Sequence, residues 1–255
     1  MLSRFFDSQH ILTIAHRGGA RLRPENTMPA FEHAVSLGVD AIELDVRLSR
    51  DLEPVVIHDA TLDRTTDAKG PVANLTVAEL ARVDAGGTGG VSGTGIVTLA
   101  EVLARWRDMP FVVELKGESA ELARRTVGVI AEARAGERVV IGGFNQVSMR
   151  AAREAAPAIA TSASTPEVRR ALYRSYLSLP PKLTGYRVFQ VPEIRNARRV
   201  VSPRFIRAAK RAGIPVQVWT VNEAADMRRL IGWGISAIIT DRPDTAIDVV
   251  RGLSG

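Results

Sequence analysis

Hydrophobic runs of four to six residues recur from one end of the chain to the other, and amphipathic helical stretches separate most of them. This alternation predicts repeated β–α units and a parallel sheet. The predicted strands cover residues 11–15, 41–46, 111–115, 138–143, 158–163, 187–191, 216–221 and 237–240. Eight strands with intervening helices favour a (β/α)8 TIM barrel, with a doubly wound open sheet as the alternative.

Helix-start signals support the segments between these strands. Thr98 stands three residues before Glu101, which is the spacing of a capping box. Thr165 and Ser202 each precede a proline, so each is predicted to cap a helix whose first turn contains that proline. The helices expected of a barrel therefore have defined starting points.

One further apolar run, PVVIH at residues 54–58, follows the second strand too closely for a helical crossover, which needs a dozen or more residues. It is predicted to form the returning strand of a hairpin extension. A four-residue turn would pair Ser49 with Pro54. The same ladder then places His58 opposite Asp45 on one face of the hairpin.

Residues 59–97 are predicted to form a small insertion after this hairpin, with a short helix that starts at Thr76. The insertion includes a glycine-rich stretch at residues 86–95. That stretch has no lysine, so it does not match a Walker-type phosphate loop. We predict that it forms a mobile loop near the mouth of the functional site of the barrel. Because neither a repeat nor a linker divides the chain, residues 1–255 are predicted to form a single barrel domain.

The composition, 45% hydrophobic and 24% charged residues, is that of an ordinary globular protein. The absence of cysteine excludes disulfides, thiolate metal sites and a cysteine nucleophile. No apolar run approaches the roughly 20 residues that span a bilayer, and the start of the chain lacks a signal-peptide pattern. We therefore expect a cytoplasmic protein without stable membrane insertion. The net charge of +6 favours anionic partners, although the basic residues look scattered over predicted helices.

Two of the four histidines, His16 and His58, end predicted strands, whereas His10 and His33 have ordinary surroundings. A histidine at a strand end is more often structural than catalytic. Here, however, the same end of the sheet carries several charged residues, namely Glu43, Asp45, Glu114 and Lys116. Such charges are costly to place together unless they pair or bind an ion, and barrel enzymes assemble their sites at this end.

The acidic residues have the pattern of a metal site. Glu43 and Asp45 are two residues apart on one strand, so both carboxylates point the same way, and Glu114 ends the next barrel strand. Three carboxylates suit a hard cation such as Mg²⁺ or Ca²⁺. The alternative is a set of salt bridges to Arg17 and Lys116, and Lys116 could also neutralise a phosphate oxygen.

Two later residues are ambiguous on their positions alone. Trp219, at the end of the seventh predicted strand, either lines a ligand pocket or packs in the core. Asp241, after the eighth strand, either holds a loop together or meets the substrate.

These residues belong to an ordered series of motifs that resembles the glycerophosphodiester phosphodiesterase family. The motifs are HRGG (16–19), RPENTMPAFEHAVSLGVDAIELDV (23–46), PVVIHDATLDRTT (54–66), VTLAEVL (97–103), FVVELK (111–116), VSPRFIRAAKRAGIPVQVWTVN (201–222) and AIITDRP (237–243). The combination HRG…ENT…ELDV…HD…ELK is the most specific part, and the resemblance covers nearly the whole chain. One departure is GGFNQ at residues 142–146, which lacks the serine often seen before this phenylalanine and could alter substrate fit.

The resemblance implies a (β/α)8 barrel that hydrolyses a small-molecule glycerophosphodiester to sn-glycerol 3-phosphate and an alcohol such as choline, ethanolamine, inositol or glycerol. The site residues it implies are Glu43, Asp45 and Glu114 for one divalent cation, Mg²⁺ or Ca²⁺, His16 and His58 for acid–base catalysis, and Arg17 and Lys116 for the substrate phosphate. We expect His16 to act as the base and His58 as the acid.

Three other functions are considered. A related phosphodiesterase could act on lysophospholipids in the manner of a phospholipase D, but no exposed amphipathic hydrophobic segment is evident in the sequence. A basic nucleic-acid-binding protein is disfavoured because the chain has no recognisable binding motif and only 5% aromatic residues. A catalytically inactive barrel that serves in protein interactions is disfavoured by the intact set of ligand and acid–base residues.

Overall fold

Strands and helices alternate in the computed structural model, which describes residue 6, residues 10–86 and residues 93–253. Its strands are β1 Leu12–His16, β2 Ala41–Leu48, β3 Pro54–Val56, β4 Phe111–Leu115, β5 Val139–Gly142, β6 Ala160–Thr161, β7 Phe189–Pro192, β8 Ile194–Arg195, β9 Arg198–Arg199, β10 Val216–Trp219 and β11 Ala237–Thr240. Its helices are α1 Met28–Leu37, α2 Val77–Leu80, α3 Leu99–Arg105, α4 Ala120–Glu132, α5 Gln146–Ala155, α6 Thr165–Tyr176, α7 Pro203–Arg211, α8 Ala224–Trp233 and α9 Pro243–Arg251, with a 3₁₀ turn at Val72–Asn74. Each of the eight predicted barrel strands is present.

The parallel strands lie side by side in the order β6, β5, β4, β2, β1, β11, β10, β7. The ring closes where Ser162, just after β6, forms a parallel bridge with Val188, just before β7. Beside this bridge the amide of Arg187 donates a hydrogen bond to the carbonyl of Thr161 over 2.8 Å. The predicted (β/α)8 barrel is confirmed, and the open sheet is excluded.

The barrel strands are hydrophobic on both faces because both faces are covered. Alternate residues such as Ile14, Val112 and Ile239 fill the interior of the barrel. The residues between them, such as Val113 and Ile141, pack against the surrounding helices. This arrangement explains why these strands appear in the sequence as continuous apolar runs.

Most of the predicted helix starts are confirmed. The side chain of Thr98 caps α3 in a capping box, and the hydroxyl of Ser202 caps α7. The assignment of Thr165 as a cap is wrong by one residue, because Ser164 caps α6. The carboxylate of Glu167 accepts hydrogen bonds from both the amide and the hydroxyl of Ser164, each over 2.8 Å.

The hairpin of β2 and β3 is confirmed, but its predicted register is wrong by one residue. Leu48, rather than Ser49, pairs with Pro54. The amide of Ile57 consequently donates to the carbonyl of Asp45 over 3.0 Å, so Ile57 and not His58 lies opposite Asp45.

The turn geometry explains the shift. Ser49 has left the strand, since its amide donates to the carbonyl of Glu53 and its hydroxyl donates to Asp51. The connection therefore contains one residue more than predicted. His58 lies beyond the end of β3, where the side chain of Arg47 donates to its carbonyl over 2.8 Å.

The segment at residues 59–97 contains the 3₁₀ turn and α2, which Thr76 caps through the predicted capping box with Glu79. It has a small apolar cluster of its own, made with hairpin residues and including Leu62, Val72 and Leu80. Residues 87–92 of the glycine-rich stretch lie outside the described residues, so its role stays a prediction. The assignment of residues 1–255 to one domain also stays a prediction.

The segment that follows α6 differs from expectation. Tyr173, Tyr176, Leu177, Leu179 and Leu183 are all exposed. The prediction that the chain has no exposed amphipathic hydrophobic segment is therefore wrong. α6 ends at Tyr176, and the leucines that follow it are exposed rather than packed in a core. Among the described residues, no helix is long and apolar enough to span a membrane.

Candidate active site

The polar residues of the site continue the inward-facing positions of the barrel strands. On β2 the series Ala41, Glu43, Asp45 changes from apolar to acidic toward the carboxyl end of the strand. On β1 the same change places His16 beside Glu43 in the parallel register, and on β4 it places Glu114 beside Asp45. The strand alternation therefore brings these side chains to one end of the barrel.

Three of these side chains form an acidic cluster. Glu43, Asp45 and Glu114 each offer one carboxylate oxygen, and these oxygens lie within 4.8 Å of one another. Glu43 and Asp45 are buried, and Glu114 is partly buried. Such proximity in a buried site requires compensating positive charge.

Two cations of the protein provide part of that compensation. Lys116 Nζ contacts the Glu114 carboxylate and lies 2.9 Å from Asp45 Oδ1. Arg17 donates its backbone amide to Glu43 over 3.0 Å, and its Nε lies 3.1 Å from Asp45 Oδ2. The salt bridges considered from the sequence are thus formed.

The compensation is incomplete. Burial, reinforced by the charge of Asp45, raises the pKa of Glu43 to about 8 although His16 opposes the shift. Burial likewise raises the pKa of Glu114 despite the attraction of Lys116. The buried Asp45 Oδ1 has no well-oriented hydrogen bond among the described residues. An all-oxygen set with excess negative charge fits a hard divalent cation.

A second carboxylate fixes each histidine. His16 Nδ1 lies 2.6 Å from Asp241 Oδ1, so an ionised Asp241 requires a proton on Nδ1 and leaves Nε2 free, 3.9 Å from Glu43 Oε2. Asn222 donates to the other oxygen of Asp241 over 2.8 Å. Burial opposes the charge of His16, but Glu43 and the hydrogen bond to Asp241 raise its pKa.

His58 has the same arrangement with different partners. Its Nδ1 lies 2.6 Å from Asp59 Oδ1, and Arg64 Nε donates to Asp59 Oδ2 over 2.6 Å. Burial lowers the pKa of His58, and Asp59 only partly counteracts this shift. Both imidazoles therefore have Nδ1 engaged by a carboxylate and Nε2 available to a substrate.

The turn after β1 positions Arg17. Arg17, Gly18 and Gly19 have φ values of 51°, 81° and 94°, so three successive residues are left-handed. At Gly18 a Cβ atom would also approach the side chains of Ala30 and Phe31 to 2.8 Å. This close turn holds the Arg17 amide against Glu43, as described above.

A cavity of about 190 Å³ connects these groups. Its lining includes His16, Arg17, Glu43, His58, Glu114, Lys116 and Trp219. Phe144 also lines it, with its ring centroid 5.5 Å from that of Trp219. The two imidazoles thus face one partly open cavity, together with acidic and basic groups. Trp219 has a place in the cavity wall, which was one of its two predicted roles.

The residues that support the site but were not among the predicted site residues include Asn26, Asp59, Phe144 and Asp241. Asn26 donates to Asp45 Oδ2 over 2.9 Å and has a φ of 58°. Its position in ENT, and that of Asp241 in TDRP, were the available signals. Neither signal identifies a partner, because both contacts join segments that are distant along the chain.

The departure at GGFNQ has a local explanation. Gly143 lines the cavity, and a Cβ atom there would lie 2.9 Å from Met149 Sδ. The position therefore excludes a larger residue as long as Met149 keeps its place.

A parallel barrel with histidines and carboxylates gathered at the carboxyl ends of its strands has the architecture of the barrel enzymes. The sequence model of the glycerophosphoryl diester phosphodiesterase family matches residues 16–245. The chain belongs to this family and is an enzyme of this kind, a phosphoric diester hydrolase.

Individual comparisons agree with this assignment. A glycerophosphodiester phosphodiesterase of Caldanaerobacter subterraneus is 36% identical over 94% of this chain and 98% of its own length. The solved structure of an Oleispira antarctica phosphodiesterase in complex with the product sn-glycerol-3-phosphate has a TM-score of 0.78 and 26% identity, with 96% of this chain and 98% of that chain covered. A lysophospholipase D of Mus musculus is 26% identical over 98% of this chain and 88% of its own length.

Proposed function

We propose that this enzyme hydrolyses glycerophosphodiesters to sn-glycerol 3-phosphate and an alcohol, using one divalent cation and two histidines. The observation that carries the proposal is the convergence of two carboxylate-held imidazoles and the acidic cluster on one small cavity. The Oleispira antarctica relative was solved with sn-glycerol-3-phosphate, which supports the identity of the product.

Glu43, Asp45 and Glu114 would hold the cation, Mg²⁺ or Ca²⁺. When bound, it would supply charge stabilisation at the non-bridging phosphate oxygens. Arg17 and Lys116 line the same cavity and would bind the substrate phosphate as positively charged hydrogen-bond donors.

The histidines would move two protons. The glycerol 2-hydroxyl attacks phosphorus while Nε2 of His16 accepts its proton, and the bond to the leaving alcohol breaks while Nε2 of His58 donates a proton to that oxygen. This order requires a neutral His16 and a protonated His58, although their surroundings raise the pKa of His16 and lower that of His58. A cation bound to Glu43 would counteract the charge that raises the pKa of His16, and the negative charge of the substrate would raise the pKa of His58. The product of this step is a cyclic phosphate. A water molecule then opens the ring with the proton transfers reversed, which restores both histidines and releases sn-glycerol 3-phosphate.

The metal requirement is tested by chelation. The enzyme is treated with EDTA, dialysed and assayed on glycerophosphocholine, glycerophosphoethanolamine, glycerophosphoinositol and glycerophosphoglycerol with coupled detection of glycerol 3-phosphate. We expect activity to disappear and to return with Mg²⁺ or Ca²⁺. Full turnover in excess EDTA would contradict the metal site.

The acid and base roles are tested by the leaving group. We expect His16→Ala and His58→Ala each to lower kcat on glycerophosphocholine by about 10²-fold or more. Glycerophospho-p-nitrophenol releases an anion that needs no proton, so in the first-turnover release of p-nitrophenolate the loss in His58→Ala should largely vanish while the loss in His16→Ala persists. The opposite pattern would exchange the two roles, and near-normal activity of either variant on glycerophosphocholine would remove that histidine from the mechanism.

A lysophospholipase D activity is the second candidate function. The mouse relative carries that name, and a groove of about 800 Å³ adjoins the catalytic cavity and shares Phe144 and Gln190 with it. Its other lining residues include Val168, Leu172 and Tyr173, which are apolar contacts suited to an acyl chain. A kcat/KM for lysophosphatidylcholine above that for glycerophosphocholine would favour this candidate.

A further inference from the structure

Exposed apolar side chains are concentrated on one side of the barrel. Among the described residues, six of the nine exposed large hydrophobic side chains lie between residues 173 and 194. They are Tyr173, Tyr176, Leu177, Leu179, Leu183 and Ile194. Leu177 is 72% exposed. A cluster of this kind on a protein surface indicates a binding surface rather than a packing defect.

The positive charge of the chain is concentrated in the same region. Residues 164–211 contain twelve of the 34 Lys and Arg residues but only two of the 28 Asp and Glu residues, so this stretch carries a net charge of +10 and the remainder carries −4. Both acidic residues are already paired, Glu167 with Arg153 and Glu193 with Arg199 and Arg229. The interpretation of the basic residues as scattered is therefore wrong.

These apolar and basic residues form one continuous surface, which we call the basic–apolar face: α6, residues 177–184, the β8–β9 hairpin and α7. α6 and the hairpin line a common groove. The side chain of Arg211 on α7 donates to the carbonyl of Ser178 over 3.0 Å. Buried Phe205 and Ile206 hold α7 against the barrel, and the cations of this helix are exposed.

One end of the basic–apolar face lies beside the catalytic cavity. The groove between α6 and the hairpin shares the lining residues Phe144 and Gln190 with the cavity. The guanidinium of Arg195 on the hairpin lies 5.6 Å from the centre of the Phe144 ring. The hairpin end of the face is therefore close to the catalytic cavity, whereas residues 177–184 lead into the amino end of β7, at the other end of the barrel.

We propose that the basic–apolar face docks on an anionic lipid surface, so that the barrel lies with this side against the bilayer. Leucine and tyrosine side chains would enter the interfacial region while the arginines contact anionic headgroups. A second copy of the chain fits less well, because two faces with a net charge of +10 would repel each other. Nucleic acid would match the charge but not the exposed leucines.

The proposal is tested with the full chain in a vesicle-sedimentation assay, which requires no turnover and is independent of the proposed function. Sucrose-loaded vesicles of phosphatidylcholine are compared with vesicles that also contain phosphatidylglycerol. We expect binding to the anionic vesicles, weakened by added NaCl, and little binding to phosphatidylcholine alone. Equal binding to both vesicles, or binding to neither, would overturn the proposal.

Paired variants separate charge from apolar contact. Arg169→Gln with Arg170→Gln should weaken vesicle binding by roughly 30-fold, about 5-fold per arginine. Arg107→Gln with Arg124→Gln, two exposed arginines outside the basic–apolar face, is the matched control. An equal loss of vesicle binding in both arginine pairs would show that binding depends only on the net charge of the protein, and it would overturn the assignment of the basic–apolar face.

Leu177→Ser with Leu183→Ser should weaken binding by about 10-fold per leucine. Leu253→Ser, an exposed leucine elsewhere, is its control. Hydrolysis of glycerophosphocholine and the melting temperature should be unchanged in all of these variants, since the substituted side chains are exposed. A dimer that the leucine pair disrupts, or DNA binding that needs only the arginines with no vesicle binding, would also overturn the proposal.

Discussion

Replacement of Asp241 by asparagine tests whether His16 depends on its hydrogen-bond partner. In the structure Asn222 Oδ1 accepts hydrogen bonds from the amide of Asp241 and the hydroxyl of Thr240, so the amide group of Asn222 must donate to Asp241 Oδ2. In the Asp241→Asn variant, the side-chain oxygen of residue 241 must therefore take the position of Oδ2, where it accepts the hydrogen bond from the Asn222 amide. The new NH₂ group is consequently directed at His16 Nδ1.

The consequence is the wrong tautomer of His16. A donor at Nδ1 favours the form with its proton on Nε2, which could not accept the proton of the attacking hydroxyl in the proposed mechanism. In the reactive tautomer the Nδ1–H of His16 would face an N–H of the new amide, and the present 2.6 Å hydrogen bond would be lost. Two unpaired donors at about 1–3 kcal/mol each give about 4 kcal/mol, which is roughly a 10³-fold loss of kcat.

The assay is steady-state hydrolysis of glycerophosphocholine with coupled detection of glycerol 3-phosphate, accompanied by thermal melting to confirm folding. Asp244→Asn is the matched control, because Asp244 pairs with Arg242 outside the cavity. We also expect Asp241→Asn combined with Asn222→Ala to recover part of the activity. Without Asn222 the new side chain can rotate and present its oxygen to Nδ1.

A kcat for Asp241→Asn within about threefold of the wild type would contradict the role given to this pair. A large loss without recovery in the double variant would contradict the tautomer argument and leave only the lost charge as the cause. An equal loss in Asp244→Asn would assign the effect to general electrostatics.

Three further predictions concern the cation, the fold and the turn after β1. Calorimetric titration with Mg²⁺ or Ca²⁺ should show binding to the wild type and at least a tenfold weaker affinity for Glu43→Gln, which removes one anionic ligand. Glu167→Gln should lower the free energy of unfolding by about 2 kcal/mol at neutral pH. Burial opposes the charge of Glu167, but the hydrogen bond from Arg153 lowers its pKa below the ordinary value of 4.5. In urea titrations the stability difference between wild type and variant should therefore be fully present above pH 4.5 and should disappear as the pH falls through the lowered pKa of the folded state. Gly18→Ala should cost about 1–3 kcal/mol in the same measurement, because φ is 81° and the new methyl would meet Ala30 and Phe31 at 2.8 Å.

The barrel could be predicted because its strands are short, apolar and separated by helix-start signals. The pleat then determines the site: once Ala41 faces inward, Glu43 and Asp45 must do so as well. The hairpin register could not be predicted, because it depends on whether Ser49 belongs to the strand or the turn. That choice is made by the bonds of Ser49 to Glu53 and Asp51, which follow from the tertiary arrangement.

The partners of the histidines were less accessible to sequence analysis. Asp241 meets His16 across 225 positions of the chain, through the neighbouring strands β1 and β11. His58 is supported by the next residue, Asp59, but Arg64 completes that contact from the insertion. Predicting these pairs would have required the closed strand order together with the loop conformations.

The charges of the site explain why a cation and a phosphodiester would bind together. The carboxylates of Glu43, Asp45 and Glu114 outnumber the cations Arg17 and Lys116 by one, and the Arg17 guanidinium is also paired with Glu25 over 2.9 Å. Burial of this excess negative charge raises the pKa of Glu43 to about 8. A divalent cation would reverse the excess, and the protonated His58 that the proposed mechanism requires would add one positive charge. Both charges would attract an anionic phosphodiester, so the cation and the substrate would strengthen each other's binding.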